Sequence, residues 1–352
     1  MKTIKDINVK DKTVLVRVDY NVPIKDGKVE SDLRIRASLP TLKYLREHGA
    51  KKIILISHLG RPEGKDASLS LKPVAKILEN LIGNVSFING VSGPDVAAVV
   101  KTLKPGQILL LENLRFFPGE EKNSDDFIDE IISSTGANLY VQDGFAVVHR
   151  AHASTDAVKH FLPVYAGLLV EKEIKNLESA VKNPAHPVLL IIGGSKVEDK
   201  QPLIEKFLPK ADHIVVGGKI AADGYSTNNN KIYVAEDFDE DSTGKKLDIG
   251  PLSTVKVSSL ITDAKTIIWN GLLGYAEDPA YATASTITAE MLGEKPDATT
   301  IICGGDTAGF VEELMEAHPD LHYSLVSTGG GAALEFLLGK KLPGIEAILS
   351  ES

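Results

Sequence analysis

The stretch Val188-Leu189-Leu190-Ile191-Ile192-Gly193-Gly194-Ser195-Lys196 runs from five consecutive apolar residues into a glycine pair and a lysine. A short apolar run without alternation is typical of a strand that is buried on both faces of a parallel sheet. The glycine pair directly after the run indicates a tight turn where the strand ends. The stretch therefore predicts an α/β protein whose strands end in glycine-rich turns.

Seven further runs are of the same kind, and they lie at residues 14–16, 53–56, 108–111, 139–141, 214–216, 266–269 and 299–302. Amphipathic stretches typical of helices lie between them, for example at residues 39–48, 71–81 and 125–133. Because strand and helix alternate, we expect parallel sheets with right-handed crossovers. The predicted fold class is α/β, with two Rossmann-like parallel-sheet domains (1–166 and 184–336) joined by a helical hinge at 167–183. A single eight-stranded barrel is the alternative.

Composition limits the class of protein. The chain has 352 residues, of which 43% are hydrophobic and 25% are charged, as expected for a globular protein of about two domains. No apolar run approaches the length of about 18 residues that a membrane span needs, and the charged N-terminus does not resemble a secretory signal. The single cysteine, Cys303, excludes an internal disulfide and a multi-thiolate zinc site. We expect a cytoplasmic protein that acts without a membrane.

Charge is distributed unevenly between the two halves. Residues 1–166 hold 23 basic and 20 acidic residues, whereas the remainder holds 16 basic and 28 acidic ones. The acidic total of −9 argues against nucleic acid as a partner. Arginines concentrated in one half predict a site for a small anion, unless surface charge is segregated there by chance. All seven lie in the first 150 residues: Arg17, Arg34, Arg36, Arg46, Arg61, Arg115 and Arg150.

Charged and polar side chains follow the apolar runs of the first half. Ligands of open parallel sheets bind beyond the carboxyl ends of the strands, where these residues meet. Any one of them alone is better explained by a satisfied salt bridge, but four converging strand ends predict a basic basin for a carboxylate or a phosphate. The residues concerned are Arg17, Asp19 and Asn21, then His58 and Arg61, then Asn113 and Arg115, and then Asp143, His149, Arg150 and His152.

Glycines follow the apolar runs of the second half. Glycine lets backbone N–H groups approach phosphate oxygens, and a helix N-terminus adds positive charge, so the repeated pattern predicts a nucleotide phosphate site. Any single pair could be a simple turn, and neither a Walker A motif nor G-x-G-x-x-G is present. Asp306 is placed to meet Mg²⁺. The turns are Gly193–Lys196, Gly217–Lys219, Asn270–Gly274, Gly304–Thr307 and Ser327–Gly331. A basin and a phosphate site together predict phosphoryl transfer between two ligands.

Ordered motifs along nearly the whole chain resemble those of the phosphoglycerate kinases. They are RVDYNVP from Arg17, RIRASLPT from Arg34, SHLGRP from Ser57, LENLRF from Leu111, HRAHAST from His149, GGSKVEDK from Gly193, DIGP from Asp248, WNG from Trp269 and STGGGAALEFLLGKKL from Ser327. The resemblance implies reversible phosphoryl transfer between 1,3-bisphosphoglycerate and MgADP, a step of glycolysis that gives 3-phosphoglycerate and MgATP. It also implies a monomer, closure of the two domains about the hinge, and a C-terminal segment, 337–352, that packs on the N-terminal domain.

The resemblance also assigns roles to residues. Both possible nucleophiles, a carboxylate and a phosphate oxygen, are ionised at pH 7, so no general base is expected. The predicted catalytic residues are Arg34, Lys196, Gly330 and Gly331, and Asp306 is the predicted metal contact. The predicted glycerate-binding residues are Asp19, Asn21, Arg34, His58, Leu59, Gly60, Arg61, Arg115 and Arg150. The predicted nucleotide-binding residues are Gly193, Lys196, Lys200, Gly217, Gly218, Asn270, Glu277, Gly304, Gly305, Asp306 and Thr307.

Departures from the family pattern cluster where the nucleotide base would bind. Lys219 replaces the third glycine of its turn, Leu272 replaces a proline, and Cys303 replaces a glycine; residues 221–247 replace a longer segment. We expect a shallower base pocket and weaker or less selective nucleotide binding. Two alternative functions follow: a binding or regulatory protein that keeps the fold, and an acyl-phosphate kinase for another nucleotide or acid.

Overall fold

The computed structural model describes residues 1–350. The chain forms two compact units, one made of Met1–Lys172 together with the chain from Lys341 on, and the other made of Glu173–Lys340. The division falls inside a helix, Leu168–Lys182, that continues from the first unit into the second. The role of this helix as a hinge stays a prediction.

The first unit is built on a six-stranded parallel sheet with the order β5-β6-β4-β1-β7-β8. The first strand, β1, lies between β4 and β7, so the chain winds outward from β1 in both directions. The carboxyl ends of β1 and β7 therefore meet at a switch point, where ligands of such sheets bind. The strands are β1 (Thr13–Arg17), β4 (Lys52–Ile56), β5 (Val85–Phe87), β6 (Gln107–Leu110), β7 (Leu139–Gln142) and β8 (Val164–Ala166), with a small antiparallel pair, β2 (Ile24–Lys25) and β3 (Lys28–Val29).

Helices cover this sheet and bury its strands. The four central strands are almost wholly buried, because apolar side chains such as Ile53 and Leu55 pack against the helices. Each such side chain contributes about 1.5–3 kcal/mol to stability relative to exposure. The helices are α1 (Leu33–Glu47), α2 (Lys72–Ile82), α3 (Pro94–Thr102), α4 (Pro118–Glu121), α5 (Asp125–Thr135) and the first part of α6 (Leu168–Lys182).

The second unit repeats the plan with the strand order β11-β10-β9-β14-β15-β16, all parallel. Its first strand, β9, lies between β10 and β14, which places the switch point between β9 and β14. A short antiparallel hairpin stands outside the sheet, β12 (Phe238–Glu240) and β13 (Lys246–Ile249). The sheet strands are β9 (Val188–Ile192), β10 (His213–Val216), β11 (Ile232–Val234), β14 (Thr266–Asn270), β15 (Thr299–Cys303) and β16 (Leu325–Val326).

The helices of the second unit follow its strands, and each begins close to a glycine-rich turn or a proline. They are α7 (Val197–Phe207), α8 (Gly218–Ala222), α9 (Pro251–Asp263), α10 (Thr283–Gly293), α11 (Gly305–Ala317) and α12 (Gly330–Leu337). A last helix, α13 (Pro343–Leu349), belongs to the first unit, where it packs against β8 and the Gly344 N–H donates to the Val148 carbonyl at 2.8 Å.

The predicted fold class is confirmed, and the barrel is wrong. All eight apolar runs are strands of the two sheets. The edge strands β5, β8, β11 and β16 were not predicted, because they have only two or three residues and each pairs with one neighbour. The acidic stretch 236–241 has the composition of a solvated loop, but Phe238–Glu240 within it pairs with β13. Helix α1 begins at Leu33 rather than at 39, which places Arg34 in its first turn.

Candidate functional site

The carboxyl edge of the first unit's sheet holds an ion pair between two predicted site residues. Arg34, in the first turn of α1, donates from Nη1 to Oδ2 of Asp19 at 2.6 Å. The Asp19 side chain, just after β1, is 4% exposed, whereas that of Arg34 is 36% exposed. Asp19 therefore holds one edge of the guanidinium and leaves the remaining N–H donors able to bind a ligand.

His58, which follows β4, is held as a neutral donor. Nη2 of Arg17 lies 3.1 Å from His58 Nδ1, and a guanidinium only donates, so Nδ1 accepts and the ring proton is on Nε2. Burial, followed by the charges of Arg17, Arg115, Arg34 and Arg150, holds the pKa of His58 well below its usual value. These effects outweigh the Asp19 carboxylate, 3.8 Å away.

The loop after β4 is shaped by residues that follow the neighbouring strands. The Asn113 side chain accepts from the Leu59 N–H at 3.2 Å and donates to the Leu59 carbonyl at 2.7 Å. Arg115 donates to the Gly60 carbonyl at 2.7 Å, and Asn21 Oδ1 accepts from the Gly60 N–H at 2.8 Å. Leu59 is buried, so its contribution is to the position of this loop.

Arg115 and Arg150 complete a positively charged group around His58. After burial, the charges of both arginines lower the pKa of His58 and of His152, and burial together with the charge of Arg150 lowers the pKa of Arg115. We call Asp19, Arg34, His58, Arg115 and Arg150 the arginine basin. The contacts of Asp19 with Arg34 and His58, and of Arg115 with Gly60, bring the ends of β1, β4 and β6 together, and the role of this group in binding stays a prediction. The remaining predicted residues of this unit, Asn21 and Arg61, are exposed.

Stability should depend on pH through the buried histidines of this group. Burial and the nearby arginines lower the pKa of His152 to about 4, against a usual value near 6.5. The folded protein then binds fewer protons than the unfolded chain below pH 6.5, so stability is full above that pH and falls as the pH decreases toward 4. One such group contributes about 1.4 kcal/mol per pH unit. The free energy of unfolding is measured with urea at pH 6 and at pH 5. In His152→Gln it should change less with pH than in the unaltered protein, by about this amount; an equal change with pH in both proteins would contradict the assignment.

The second unit contains a cavity of about 710 Å³ at the carboxyl edge of its sheet. It opens where β9, β10, β14 and β15 end. Eight residues that the sequence predicts for the nucleotide site line it: Lys196, Lys200, Gly218, Glu277, Gly304, Gly305, Asp306 and Thr307. The other lining residues among residues 1–350 are Gly194, Ser195, Asp199, Lys219, Ala222, Asp223, Phe238, 244–248 and 271–275.

Several predicted glycines support this cavity from behind instead of lining it. A Cβ on Gly193 would lie 2.1 Å from the Leu272 carbonyl oxygen, and one on Gly330 would lie 2.8 Å from the Gly305 nitrogen. These turns are in backbone contact, which only glycine permits. The predicted residues outside the lining are Gly193, Gly217, Asn270, Gly330 and Gly331.

Gly271 shows how closely the turns pack. Its φ is +101°, its N–H donates to Thr307 Oγ1 at 2.8 Å, and an added Cβ would lie 2.2 Å from the Gly193 carbonyl oxygen. We expect Gly271→Ala to lower the free energy of unfolding by about 3 kcal/mol or more. Gly224→Ala is the matched control, because φ is +94° there and nothing lies within 4 Å. Urea unfolding should show a clearly smaller loss for the control; equal losses would mean that the close contact is unimportant.

Two lysines give the cavity positive charge. Lys196 is exposed and is the N-cap of α7, and Lys200 lies one turn further along the same helix. Nζ of Lys200 donates to Oδ1 of the buried Asn270, whose amide donates to Cys303 Sγ at 3.3 Å. Partial burial lowers the pKa of Lys200, although Asp199 and Asp306 oppose the shift. Asn270 and Cys303 therefore position Lys200 without reaching the cavity themselves.

The residues at the start of α11 fit a metal that arrives with a phosphate ligand. Asp306 is exposed in the first turn of this helix and lines the cavity. No group of three His, Cys, Asp or Glu residues able to hold a metal exists among residues 1–350. Mg²⁺ is commonly held by one or two carboxylates together with substrate phosphates, and a single carboxylate beside a phosphate site suits that mode.

One wall of the cavity was not predicted from the sequence. It consists of the β12–β13 hairpin and the end of α8, with Phe238, Lys245, Lys246, Ala222 and Asp223. Nζ of Lys246 lies 4.4 Å from the centre of the Phe238 ring, which keeps the ring at this wall. An aromatic residue inside an acidic run was the only signal for it. The wall is made of residues from the shortened segment 221–247.

Comparison with known proteins agrees with this arrangement. A sequence model of the family described as phosphoglycerate kinase matches residues 4–237 and 221–340. The two matched ranges overlap at residues 221–237, within the shortened segment. The phosphoglycerate kinase of Moorella thermoacetica is 41% identical over 393 aligned positions, which cover 98% of each chain. That of Pseudothermotoga lettingae is 42% identical over 397 positions, also covering 98% of each. The alignments are longer than this chain, so the relatives hold residues that it lacks.

Solved structures give the same result for the fold. The structure of phosphoglycerate kinase from Pyrococcus horikoshii has a TM-score of 0.86 and 28% identity, and that from Coxiella burnetii has a TM-score of 0.80 and 32% identity. Each comparison covers 99% of this chain and 98% of the other. With a family match over most of the chain and relatives above 40% identity over nearly all of it, the chain belongs to the phosphoglycerate kinase family.

Proposed function

We propose that the arginine basin binds the phosphoglycerate and that the glycine-walled cavity binds the nucleotide in the reaction of this family. The reaction is reversible phosphoryl transfer between 1,3-bisphosphoglycerate and MgADP, which gives 3-phosphoglycerate and MgATP. The observation that carries the proposal is that the two units present different groups to a ligand. One presents guanidinium groups around a neutral histidine, and the other presents a lysine-lined cavity with bare backbone turns.

The basin suits a ligand with a phosphate at one end and a carboxylate at the other. Planar guanidinium groups bind both kinds of anion through paired N–H donors. Arg34 offers donors beside the buried Asp19, and His58 adds a neutral Nε2–H donor. The acceptor carboxylate is ionised at pH 7 and attacks without losing a proton, so we assign no general base among these residues.

The cavity residues hold and neutralise a polyphosphate. Lys196 and Lys200 supply charge, and the N–H groups at Gly304 and Gly305 begin α11, whose dipole favours an anion. Mg²⁺, when bound with the nucleotide, supplies charge neutralisation on the phosphate oxygens. Asp306 is the residue that would hold it, and Lys196 orients the terminal phosphate. Gly330 packs against the backbone of the Gly304–Gly305 turn, which would hold the phosphate.

The alternative of a binding or regulatory protein that has lost nucleotide use is not favoured, since Lys196, Lys200 and Asp306 all line the cavity. No helix among residues 1–350 is long and apolar enough to cross a membrane. We further propose that the enzyme works in the cytoplasm as a monomer, with Mg²⁺ and either ADP or ATP, and that α6 is the hinge. The single cysteine is buried and reduced, which suits that compartment.

A trapping assay tests the activity directly. The protein is incubated with 3-phosphoglycerate, Mg²⁺ and either ATP or GTP, and hydroxylamine converts the acyl phosphate formed into a hydroxamate. We expect hydroxamate formation that depends on protein, 3-phosphoglycerate and nucleotide together. The proposal fails if folded protein forms no hydroxamate with either nucleotide.

A further inference from the structure

Lys219 and Asp223 form a side-chain pair on the wall of the cavity. They lie one turn apart on α8, and Lys219 Nζ donates to both carboxylate oxygens of Asp223, at 2.7 and 2.6 Å. The side chains are 56% and 55% exposed, and both line the cavity. An exposed pair of this kind contributes little to stability, so it can separate to meet a ligand at little cost.

The pair lies at the end of the cavity remote from Gly304 and Asp306. Lys219 follows β10, whereas Asp306 follows β15, and the order β10-β9-β14-β15 separates these strands by three intervals. At about 4.8 Å for each interval the separation is about 14 Å. An extended nucleoside diphosphate is of comparable length, so phosphates at Gly304 and Asp306 bring the base to α8.

Apolar side chains beside the pair fit the two faces of a purine. Ala222 lies on α8, Leu272 follows β14, and Phe238 stands on the hairpin, whose second strand packs against α8. Purine bases bind between such apolar surfaces and leave their polar edge for hydrogen bonds. The polar groups that α8 offers to that edge are one ammonium and one carboxylate.

We propose that Lys219 and Asp223 read the edge of the base and make the cavity selective for guanine nucleotides; this rests on the nucleotide-binding role proposed above. Guanine carries an acceptor at O6 beside donors at N1 and N2. Lys219 matches O6, and Asp223 matches N1–H and the 2-amino group as a paired, charge-assisted contact.

Adenine has the opposite pattern on this edge. Its 6-amino group is a donor that faces an ammonium, and N1 is an acceptor that faces a carboxylate. Neither contact forms, so the two side chains stay paired with each other and add nothing to the binding of adenine. A matched paired contact with a base typically changes affinity about tenfold or more relative to the wrong base. Inosine diphosphate, which keeps O6 and N1–H but lacks the 2-amino group, should bind with intermediate affinity.

Calorimetric titration of the full chain with GDP, IDP and ADP, each with Mg²⁺, tests this order. We expect GDP to bind about tenfold or more tightly than ADP, with IDP between them. Asp223→Asn should remove the preference for GDP and improve binding of xanthosine diphosphate, because the amide can donate to the oxygen at C2. Lys219→Met should weaken GDP more than ADP. The inference is overturned if ADP binds as tightly as GDP, or if either variant keeps the preference.

The control is a second lysine–aspartate pair of similar exposure. Lys265 and Asp297 lie just before β14 and β15, at the amino edge of the same sheet. Lys265→Met and Asp297→Asn should leave the order of nucleotides unchanged, and circular dichroism melting checks that every variant folds. Selective GDP binding without hydroxamate formation would refute the proposed function alone. Hydroxamate formation at least as efficient with ATP as with GTP would refute guanine selectivity alone.

Discussion

Replacing Arg34 by methionine should lower kcat for acyl phosphate formation by about 10²–10³-fold, the loss that follows removal of one well-placed charged donor. The guanidinium is held by Asp19 at 2.6 Å, so its direction is fixed before the ligand binds. Methionine keeps much of the apolar stem but cannot donate, and it leaves the buried Asp19 carboxylate without this cation. Steady-state kinetics in the hydroxylamine assay measure the effect.

Two comparison variants separate charge from geometry at this position. Arg34→Lys keeps the charge but loses the planar fork, so it should recover only part of the rate. Arg36→Met removes an arginine from the same helix, where Arg36 donates to Asp32 at 2.7 Å on an exposed surface. Its kcat should stay within about twofold of the unaltered enzyme, the small effect usual for an exposed pair. An Arg34→Met enzyme with similar kcat would remove Arg34 from the mechanism.

Lys196→Met should lower kcat by a similar factor, about 10²–10³-fold, without loss of stability. Lys196 is the N-cap of α7, where the helix dipole makes a cation unfavourable. A residue that opposes local stability at a cavity wall indicates a functional requirement. We therefore expect the free energy of unfolding without ligand to stay the same or to rise by about 0.5 kcal/mol.

Lys206→Met is the control for this change, because Lys206 is exposed in the last turn of the same helix. It removes the same charge at the end where the dipole favours a cation, and Lys206 does not line the cavity, so kcat should be unaffected. Activity and urea unfolding are measured for both variants. A Lys196→Met protein that loses stability in parallel with activity would indicate a structural role instead of a catalytic one.

The central part of the fold could be predicted because burial imposes a simple pattern. Val188–Ile192 and Ile267–Trp269 lie in strands with neighbours on both sides, and their continuous apolar sequence indicates this. Leu325–Val326 is a strand because β15 pairs with it, and two residues carry no such pattern. The Phe238–Glu240 strand lies in an acidic run, so its pairing with β13 depends on the tertiary structure.

The sequence could predict which strand ends carry the site residues, but not which of those residues face a ligand. Gly193 and Gly218 occur in similar turns, yet only Gly218 lines the cavity. Which glycine faces a ligand and which faces another backbone depends on how neighbouring turns pack. Arg17 is similar: its sequence position matches the basin, but it is buried and donates to the carbonyls of Val18 and Ile56 and to the His58 ring.

Titration of each variant with both ligands tests whether the arginine basin and the cavity bind different substrates. Binding of 3-phosphoglycerate and of MgADP and MgGDP is measured by calorimetry for the unaltered protein, Arg34→Met and Lys196→Met. We predict that Arg34→Met weakens 3-phosphoglycerate about tenfold or more and leaves nucleotide binding unchanged, and that Lys196→Met does the reverse. If either variant weakens both ligands equally, or weakens the ligand assigned to the other unit, the account is contradicted.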